Sequence, residues 1–332
     1  MGYEIGLLDK SPVAPGASPA EALALSVAYA RRADELGYSR LWLAEHHGFP
    51  GLASAAPEVL AAHLLARTRR IRIGSGGVLL QHYSPYKVAE IFGVLASLAP
   101  GRVDLGIGKS PGGFPFSTQA LRGFASPAAP REDFARRLTD LDAWLRGAPP
   151  EGAPAAEALP RAEVLPERIL LGASVESAEL AARLGWSFTY AGHHDGDPAA
   201  VERSLAAYEA IAGERPKLAL LAVVARSQAE AERLAEGARV FRLTLPNGHG
   251  VNLGSPEGAE EYARQLGAED FQIVEKRPEA LVGTPEKVRA RLDELSRRFG
   301  VKEFILDSPI AEAAPRLAAI ELLAGVPAQA AA

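Results

Sequence analysis

The chain has 332 residues, 48% of them hydrophobic, and a formal net charge of −5 with a sequence pI near 5.9. This length supplies a large core, and the acidic balance, with no basic stripe, argues against a nucleic-acid binder. The absence of cysteine excludes disulfides, thiolate catalysis, Cys-bound zinc and iron–sulfur clusters. Because charges interrupt the first apolar stretch and no apolar run approaches a membrane span, we expect a soluble cytoplasmic protein without a signal peptide.

Eight apolar segments of strand length alternate with helical segments along the chain. They predict strands at 3–8, 40–44, 71–80, 103–107, 168–171, 187–190, 218–224 and 304–306. Helix starts between them are marked by a capping side chain followed by proline, as in Ser18-Pro19-Ala20-Glu21 and Thr284-Pro285. Strands that alternate with helices imply parallel pairing, and eight such units predict one (β/α)₈ TIM barrel over residues 1–332.

Two segments depart from this alternation. Residues 109–130 are rich in Gly, Pro and Ser and are predicted to form a long loop. Residues 243–282 follow a helix predicted from 228 to about 241, and they contain a turn, a short polar helix and an apolar run. They predict an insertion between strand seven and the last βα unit. The rival fold is a doubly wound open sheet, but Leu8-Asp9-Lys10-Ser11-Pro12 lacks the Gly-rich turn expected after its first strand.

Polar side chains follow several of the predicted strands. The second strand leads to Glu45, His46 and His47, and later strands lead to Lys109, Ser174, Ser177, His193, His194 and Asp195. Because ligands bind at the carboxyl ends of barrel strands, we expect these side chains along one rim. On the Glu-His-His cluster alone, a structural histidine pair that caps a strand end stays an open alternative.

Three kinds of ligand site are compatible with these residues. Histidines and aspartates at strand ends fit a metal hydrolase, but adjacent residues in extended chain point to opposite faces, so His46 and His47 cannot easily share one ion, and we expect no metal. Residues 172–178 run into a helix whose N-terminus could bind phosphate, although capping by Ser174 explains it equally. Gly76-Gly77 inside a strand fits either a closely approaching flat ligand or a bulge.

Several motifs together resemble the bacterial-luciferase-like, flavin-dependent monooxygenases, and the resemblance covers nearly the whole chain. They are Trp42-Leu43-Ala44-Glu45-His46-His47 and the segments 68–76, 101–108, 171–174 and 283–288. Segment 190–194, with His193, resembles the smaller single-chain oxidoreductase branch of this family.

The resemblance implies FMN at the C-terminal rim, with His46 as the catalytic histidine and Glu45 orienting it. It implies a cis peptide at Gly76-Gly77 against the flavin ring. It also places three side chains, those of Lys109, Ser174 and Ser177, at the flavin phosphate, and we expect His193 at the cofactor too. Lys109 replaces the arginine of the luciferase catalytic subunit, and Gly108 replaces its reactive cysteine.

The function implied is that of a two-component monooxygenase. A separate flavin reductase would supply reduced FMN, and the barrel would use O₂ to oxidise a small organic substrate, with His46 managing protons. Segments 111–130 and 243–282 would act as lids that exclude water. The resemblance also implies a homodimer. The alternatives are a deazaflavin-dependent oxidoreductase on the same barrel, a flavin-binding protein without catalysis, and the metal hydrolase.

Overall fold

The protein is described by a computed structural model that covers residues 2–123, 133–193, 197–248, 250–276 and 280–325. Its strands are β1 (Glu4–Asp9), β2 (Arg40–Leu43), β3 (Arg72–Leu79), β4 (Val103–Gly108), β5 (Glu167–Gly172), β6 (Ser187–Ala191), β7 (Lys217–Val224), β8 (Val240–Thr244), β9 (Gly250–Leu253), β10 (Gln272–Lys276), β11 (Ala280–Gly283) and β12 (Glu303–Asp307). Its helices are α1 (Pro19–Leu36), α2 (Pro57–Leu65), α3 (Pro85–Leu98), α4 (Pro115–Leu121), α5 (Phe134–Arg146), α6 (Val175–Leu184), α7 (Pro198–Ala212), α8 (Gln228–Ala235), α9 (Pro256–Leu266), α10 (Pro285–Phe299) and α11 (Ala313–Ala324).

Eight parallel strands close into a barrel. The order around it is β1-β2-β3-β4-β5-β6-β7-β12, and β12 pairs with β1 to complete the ring. In the β1–β12 pairing Leu8 lies beside Asp307, so the first and last strands of the barrel are neighbours. The predicted TIM barrel is therefore confirmed, and each of the eight predicted strands forms one strand of the barrel.

Local sequence signals set the start and end of the helices. Ser18 caps α1 in a complete capping box with Glu21, and Pro19 occupies the first helical position. Gly37 ends the same helix in the left-handed conformation, at φ 81°, which glycine adopts without steric cost. These short-range signals fix where α1 begins and ends between β1 and β2.

The barrel interior has an apolar layer above a charged layer. The apolar layer contains the buried side chains of Leu8, Trp42, Ala44, Ile169, Ala219 and Ile305. Below it, at the amino ends of the strands, Arg40 forms ion pairs with Asp104, Glu167 and Glu303. Since charged groups at this end are bound to each other, the opposite, C-terminal end is left as the face for chemistry.

The segment between β7 and β12 adds a small antiparallel sheet, with strand order β10-β8-β9, against which α9 packs. β11 then returns to the barrel and pairs in parallel with β7. The helix predicted for 228–241 was too long: α8 ends at Ala235, and Val240–Thr244 pairs with β10 because alternate residues Phe241 and Leu243 are buried there.

The segment predicted as a loop after β4 also contains a helix, α4, which packs on α9. The backbone N–H of Phe116 donates to Gln265 Oε1 at 3.0 Å in that contact. Within the described ranges, no helix combines the length and the apolar character needed to cross a bilayer.

Candidate active site

Strand β2 delivers Glu45, His46 and His47 to the C-terminal rim. Glu45 Oε1 and His47 Nε2 are hydrogen-bonded at 2.7 Å, so these two side chains lie on one side of the extended chain. His46, between them, therefore faces the other way. Ala44, two residues earlier, belongs to the apolar barrel interior, so His46 lies on the side of the barrel mouth.

Glu45 is held in place by three donors. The Tyr83 hydroxyl donates to Oε1 at 2.7 Å and the backbone N–H of Leu79 donates to Oε2 at 3.0 Å, in addition to the bond with His47. The Glu45 side chain is 1% exposed. Its carboxylate therefore joins the end of β2 to the end of β3.

The imidazole bonded to Glu45 is that of His47, and the orienting role expected of Glu45 toward His46 stays a prediction. The backbone N–H of His46 donates to Ser54 O at 2.9 Å, and the backbone N–H of His47 donates to Gly112 O at 2.8 Å. The strand end is thereby tied to the loop after β4.

Tyr83 and His82 surround this network. Burial raises the pKa of Tyr83 above its usual value, and the carboxylate of Glu45 raises it further, so the phenol stays a donor. The pKa of His82 is lowered, mainly by burial, and its Nε2 is bonded to Pro111 O at 2.9 Å. A neutral His82 and a protonated Tyr83 thus lie on either side of the Glu45 network.

Gly76 and Gly77 are joined by a cis peptide bond, as the resemblance implies. A side chain at Gly76 would approach Trp42 Cβ to 2.8 Å and Leu8 Cδ1 to 2.9 Å, in the barrel interior. A side chain at Gly77 would meet Gly106 O at 2.7 Å on β4. Both glycines are thus required by packing. The β3–β4 register also shifts between Ser75 and Val78, which fits the bulge alternative.

Two of the three residues predicted to contact phosphate meet at the start of α6. Ser174 is the N-cap of α6, where its hydroxyl accepts from Ser177 N at 3.3 Å and lies 3.2 Å from the Ser177 hydroxyl. Lys109 is exposed, with Nζ 5.9 Å from the centre of the Phe134 ring. The pKa of the exposed Glu176, in the first turn of α6, is lowered mainly by hydrogen bonds to the backbone and to Ser174. The positive charge of Lys109 contributes a smaller part of this lowering. Ser174 and Ser177 thus meet at one helix N-terminus, and the Lys109 ammonium lies beside the Phe134 ring.

His193 follows β6 by two residues and is buried. His194 and Asp195 lie outside the described residues. In the described part of the chain, no group of three or more His, Asp or Glu side chains is arranged to hold a metal ion.

Aromatic side chains connect the rim to the insertion. The rings of His46 and Phe49 are 6.0 Å apart, those of Phe49 and Phe114 are 4.8 Å apart, and those of Phe114 and Tyr262 are 6.2 Å apart. Tyr262 lies on α9, and Phe114 precedes α4. The insertion therefore rests on the loops that carry the candidate catalytic residues.

Reasoning from sequence missed two further residues at the rim. Lys10, directly after β1, forms an ion pair with Asp307 at the end of β12, with Nζ 2.5 Å from Oδ2. A signal was present, since both residues are charged and stand at the carboxyl ends of predicted strands. Their sequence separation of 297 positions hid the contact.

A closed (β/α)₈ barrel with polar groups gathered on its C-terminal rim defines a barrel enzyme. The model of the family described as "Luciferase-like monooxygenase" matches residues 3–303. The chain belongs to this family.

Relatives in the family support the same assignment. The N-acetyl-S-alkylcysteine monooxygenase of Bacillus subtilis (strain 168) is 38% identical over 325 residues, covering 96% of each chain. A luciferase-like monooxygenase of Escherichia coli (strain K12) is 34% identical, covering 95% of this chain and 94% of the relative. The crystal structure of apo-MsnO8 superposes with a TM-score of 0.77 at 34% identity, covering 97% and 98% of the two chains. The protein is accordingly an oxidoreductase of the flavin-dependent monooxygenase type.

More distant structures share the fold alone. They include the oxygenating constituent of 3,6-diketocamphane monooxygenase in complex with FMN, at 20% identity and a TM-score of 0.69. An F420-dependent secondary alcohol dehydrogenase has 16% identity and a TM-score of 0.70. The barrel by itself therefore does not distinguish FMN from a deazaflavin.

Proposed function

We propose that this protein is an FMN-dependent monooxygenase that receives reduced FMN from a separate reductase and transfers one oxygen atom of O₂ to a small organic substrate. The observation that carries the proposal is the rim itself, where His46 after β2 and a helix N-terminus with two hydroxyls after β5 both stand at the carboxyl ends of barrel strands. An imidazole and an anion site on one rim are the two features that a phosphate-bearing redox cofactor requires.

The residues at the start of α6 fit the phosphate group. Backbone N–H groups and the helix dipole favour an anion there, and Lys109 adds a positive charge. Glu176 opposes an anion, but its carboxylate is fully exposed, so water screens it.

His46 would exchange protons with the reacting groups, since imidazole titrates close to neutral pH. Reduced FMN would supply the electrons that reduce the second oxygen atom of O₂ to water. The insertion at 243–282 and the segment at 111–123 would cover the rim through Phe49, Phe114 and Tyr262 and exclude water. The rest of the predicted lid, residues 124–130, lies outside the described residues.

For the substrate we propose a thioether of the N-acetyl-S-alkylcysteine type. The support is the relative named for that activity, which matches this chain over 96% of both lengths. The apolar rings of Phe49 and Phe114 beside His46 suit an alkyl or aryl group on sulfur.

The test is anaerobic titration of the purified protein with reduced FMN, followed by mixing with oxygenated buffer and N-acetyl-S-benzylcysteine. Stoichiometric sulfoxide would support the monooxygenase. Tight flavin binding with hydrogen peroxide as the sole product would indicate a flavin binder or reductase, and binding of a deazaflavin in preference to FMN would indicate the second oxidoreductase. Unchanged sulfoxide yield in His46→Ala at equal flavin occupancy would remove the role given to His46.

We also propose a homodimer formed through α2 and α3. Val59 on α2 and Val94 and Leu98 on α3 are large apolar side chains that remain exposed in the single chain, Leu98 at 72%. Burying them against a second copy would remove this apolar surface from water. Sedimentation equilibrium of the wild type and of Leu98→Glu would test it, with a monomer expected for the variant.

A further inference from the structure

The barrel mouth contains a charged pair, Lys10 and Asp307, that has no part in the proposed oxygen transfer. Asp307 is the last residue of β12, and Lys10 follows the last residue of β1. Their side chains meet at 2.5 Å, between Lys10 Nζ and Asp307 Oδ2. The pair therefore sits where the first and last strands of the barrel are joined.

Both side chains face the inside of the mouth. Leu8 on β1 and Ile305 on β12 belong to the apolar barrel interior, and alternate residues of a strand point to the same face. Lys10 and Asp307 each lie two residues further along. Asp9, between Leu8 and Lys10, points outward, where its Oδ1 accepts from Arg316 of α11 at 2.8 Å.

The pair presents unused hydrogen-bonding capacity. The Asp307 side chain is 1% exposed, and its Oδ1 is buried without a hydrogen-bond partner among the described residues. The Lys10 side chain is 28% exposed. An ammonium has three donors, and in the described part of the chain that of Lys10 donates to Asp307. Buried carboxylate oxygens normally have a donor, so the Oδ1 requires an explanation.

Lys10 also lies beside the loop that carries His46. The loop after β1 is bonded to the loop after β2 through Ala53 N and Ser11 O at 3.0 Å, and the N–H of His46 donates to Ser54 O in the same segment. The loop that begins at Lys10 and the loop that carries His46 are therefore bonded to each other at the barrel mouth.

We propose that Lys10 and Asp307 bind the polar end of the substrate, and that this substrate is an N-acyl amino acid. Lys10 Nζ donates to the ligand carboxylate, while Asp307 holds the ammonium in position and its Oδ1 accepts the neighbouring amide N–H. In an N-acyl amino acid the amide N–H and the carboxylate are attached to the same carbon. The Asp307 acceptor and the adjacent Lys10 donor match these two groups. The inference rests on the proposed monooxygenase function. A pair that merely closes the barrel would not discriminate between ligands.

The experiment measures binding by isothermal titration calorimetry at pH 7, with and without saturating oxidised FMN, so that no turnover occurs. The ligands are N-acetyl-S-benzylcysteine and its carboxamide, which differ only in the charge of one group. The proteins are wild type, Lys10→Met, Lys10→Arg and the control Lys302→Met at the opposite end of the barrel. We expect the wild type to bind the acid at least about tenfold more tightly than the carboxamide, as a charge-assisted bond implies. Lys10→Met should lose this preference, whereas Lys10→Arg and Lys302→Met should keep it.

Equal binding of both ligands by the wild type, binding of neither, or a preference that survives in Lys10→Met would overturn the inference. If Lys10→Met does not fold, Lys10→Gln takes its place, and the wild-type comparison alone still decides whether a carboxylate is recognised. Oxygenation of both ligands with equal kcat/KM would reject the assignment and leave the monooxygenase standing. Binding in the expected order without any sulfoxide would reject the monooxygenase and leave the binding site standing.

Discussion

The charged layer at the base of the barrel predicts a large stability loss in Glu167→Gln. Glu167 accepts from Lys217 Nζ at 2.9 Å and from Arg40 Nη1 at 3.1 Å. Burial by itself would raise the pKa of Glu167, but attraction to Lys217, Arg40 and Arg72 outweighs it and lowers the pKa from 4.5 to about 2. The carboxylate is therefore stabilised in the folded state relative to the unfolded state.

The magnitude follows from that shift. A change of about 2.5 pKa units corresponds to about 3 kcal/mol of folding free energy at neutral pH, at 1.36 kcal/mol per unit. Glu167 is 26% exposed, so solvent screening is limited. Because the folded-state pKa is the lower one, this contribution is present above pH 4.5 and is lost as the pH falls toward 2.

Urea denaturation followed by tryptophan fluorescence at several pH values measures the effect. The free energy of unfolding of Glu167→Gln should lie about 3 kcal/mol below wild type at pH 7, and the difference should fall to less than half of that at about pH 3. Glu261→Gln is the control, because hydrogen bonds to Arg264 and Gln265 also lower the pKa of Glu261 to about 2, yet that residue lies at the surface of α9. Because solvent screens an ion pair at the surface, the free energy of unfolding of Glu261→Gln should equal that of wild type. A Glu167→Gln protein as stable as wild type, or a difference independent of pH, would refute the reasoning.

Three further variants test the fold and the rim. In Gly74→Ala the new methyl group would collide with a backbone oxygen of β4, so the thermal midpoint should fall well below that of Gly254→Ala, where the methyl group meets nothing within 4 Å. Tyr83→Phe removes a donor from the buried Glu45 carboxylate and should cost about 1–3 kcal/mol in urea denaturation; a cost near zero would contradict the network. Lys109→Met should weaken FMN binding about tenfold and leave riboflavin binding unchanged, and an equal loss for both flavins would place Lys109 away from the phosphate.

The sequence alone was enough to locate the strands of the barrel and the residues at its rim. Strands such as β2 are short apolar runs that are buried throughout, and helices such as α1 and α7 begin at a capping side chain followed by proline, so both signals lie within a few residues. Eight consecutive βα units predict a parallel barrel, in which the carboxyl ends of all eight strands lie on the same face of the barrel. That is why His46, Lys109, Ser174 and Ser177 could be assigned to the rim before any contact was known.

The tertiary structure decided which of these groups touch. Glu45 bonds to His47 because alternate residues share a side of an extended chain, and Tyr83 reaches it because β2 and β3 are neighbours. The residues after α8 became a strand, since pairing with β10 overrides helix propensity.

The Lys10–Asp307 contact and the charged layer around Arg40 arise only when the barrel closes. Closure brings together residues from opposite ends of the chain, and their proximity is set by strand order and register. Local backbone preferences act over a few residues and carry no information about such distant partners.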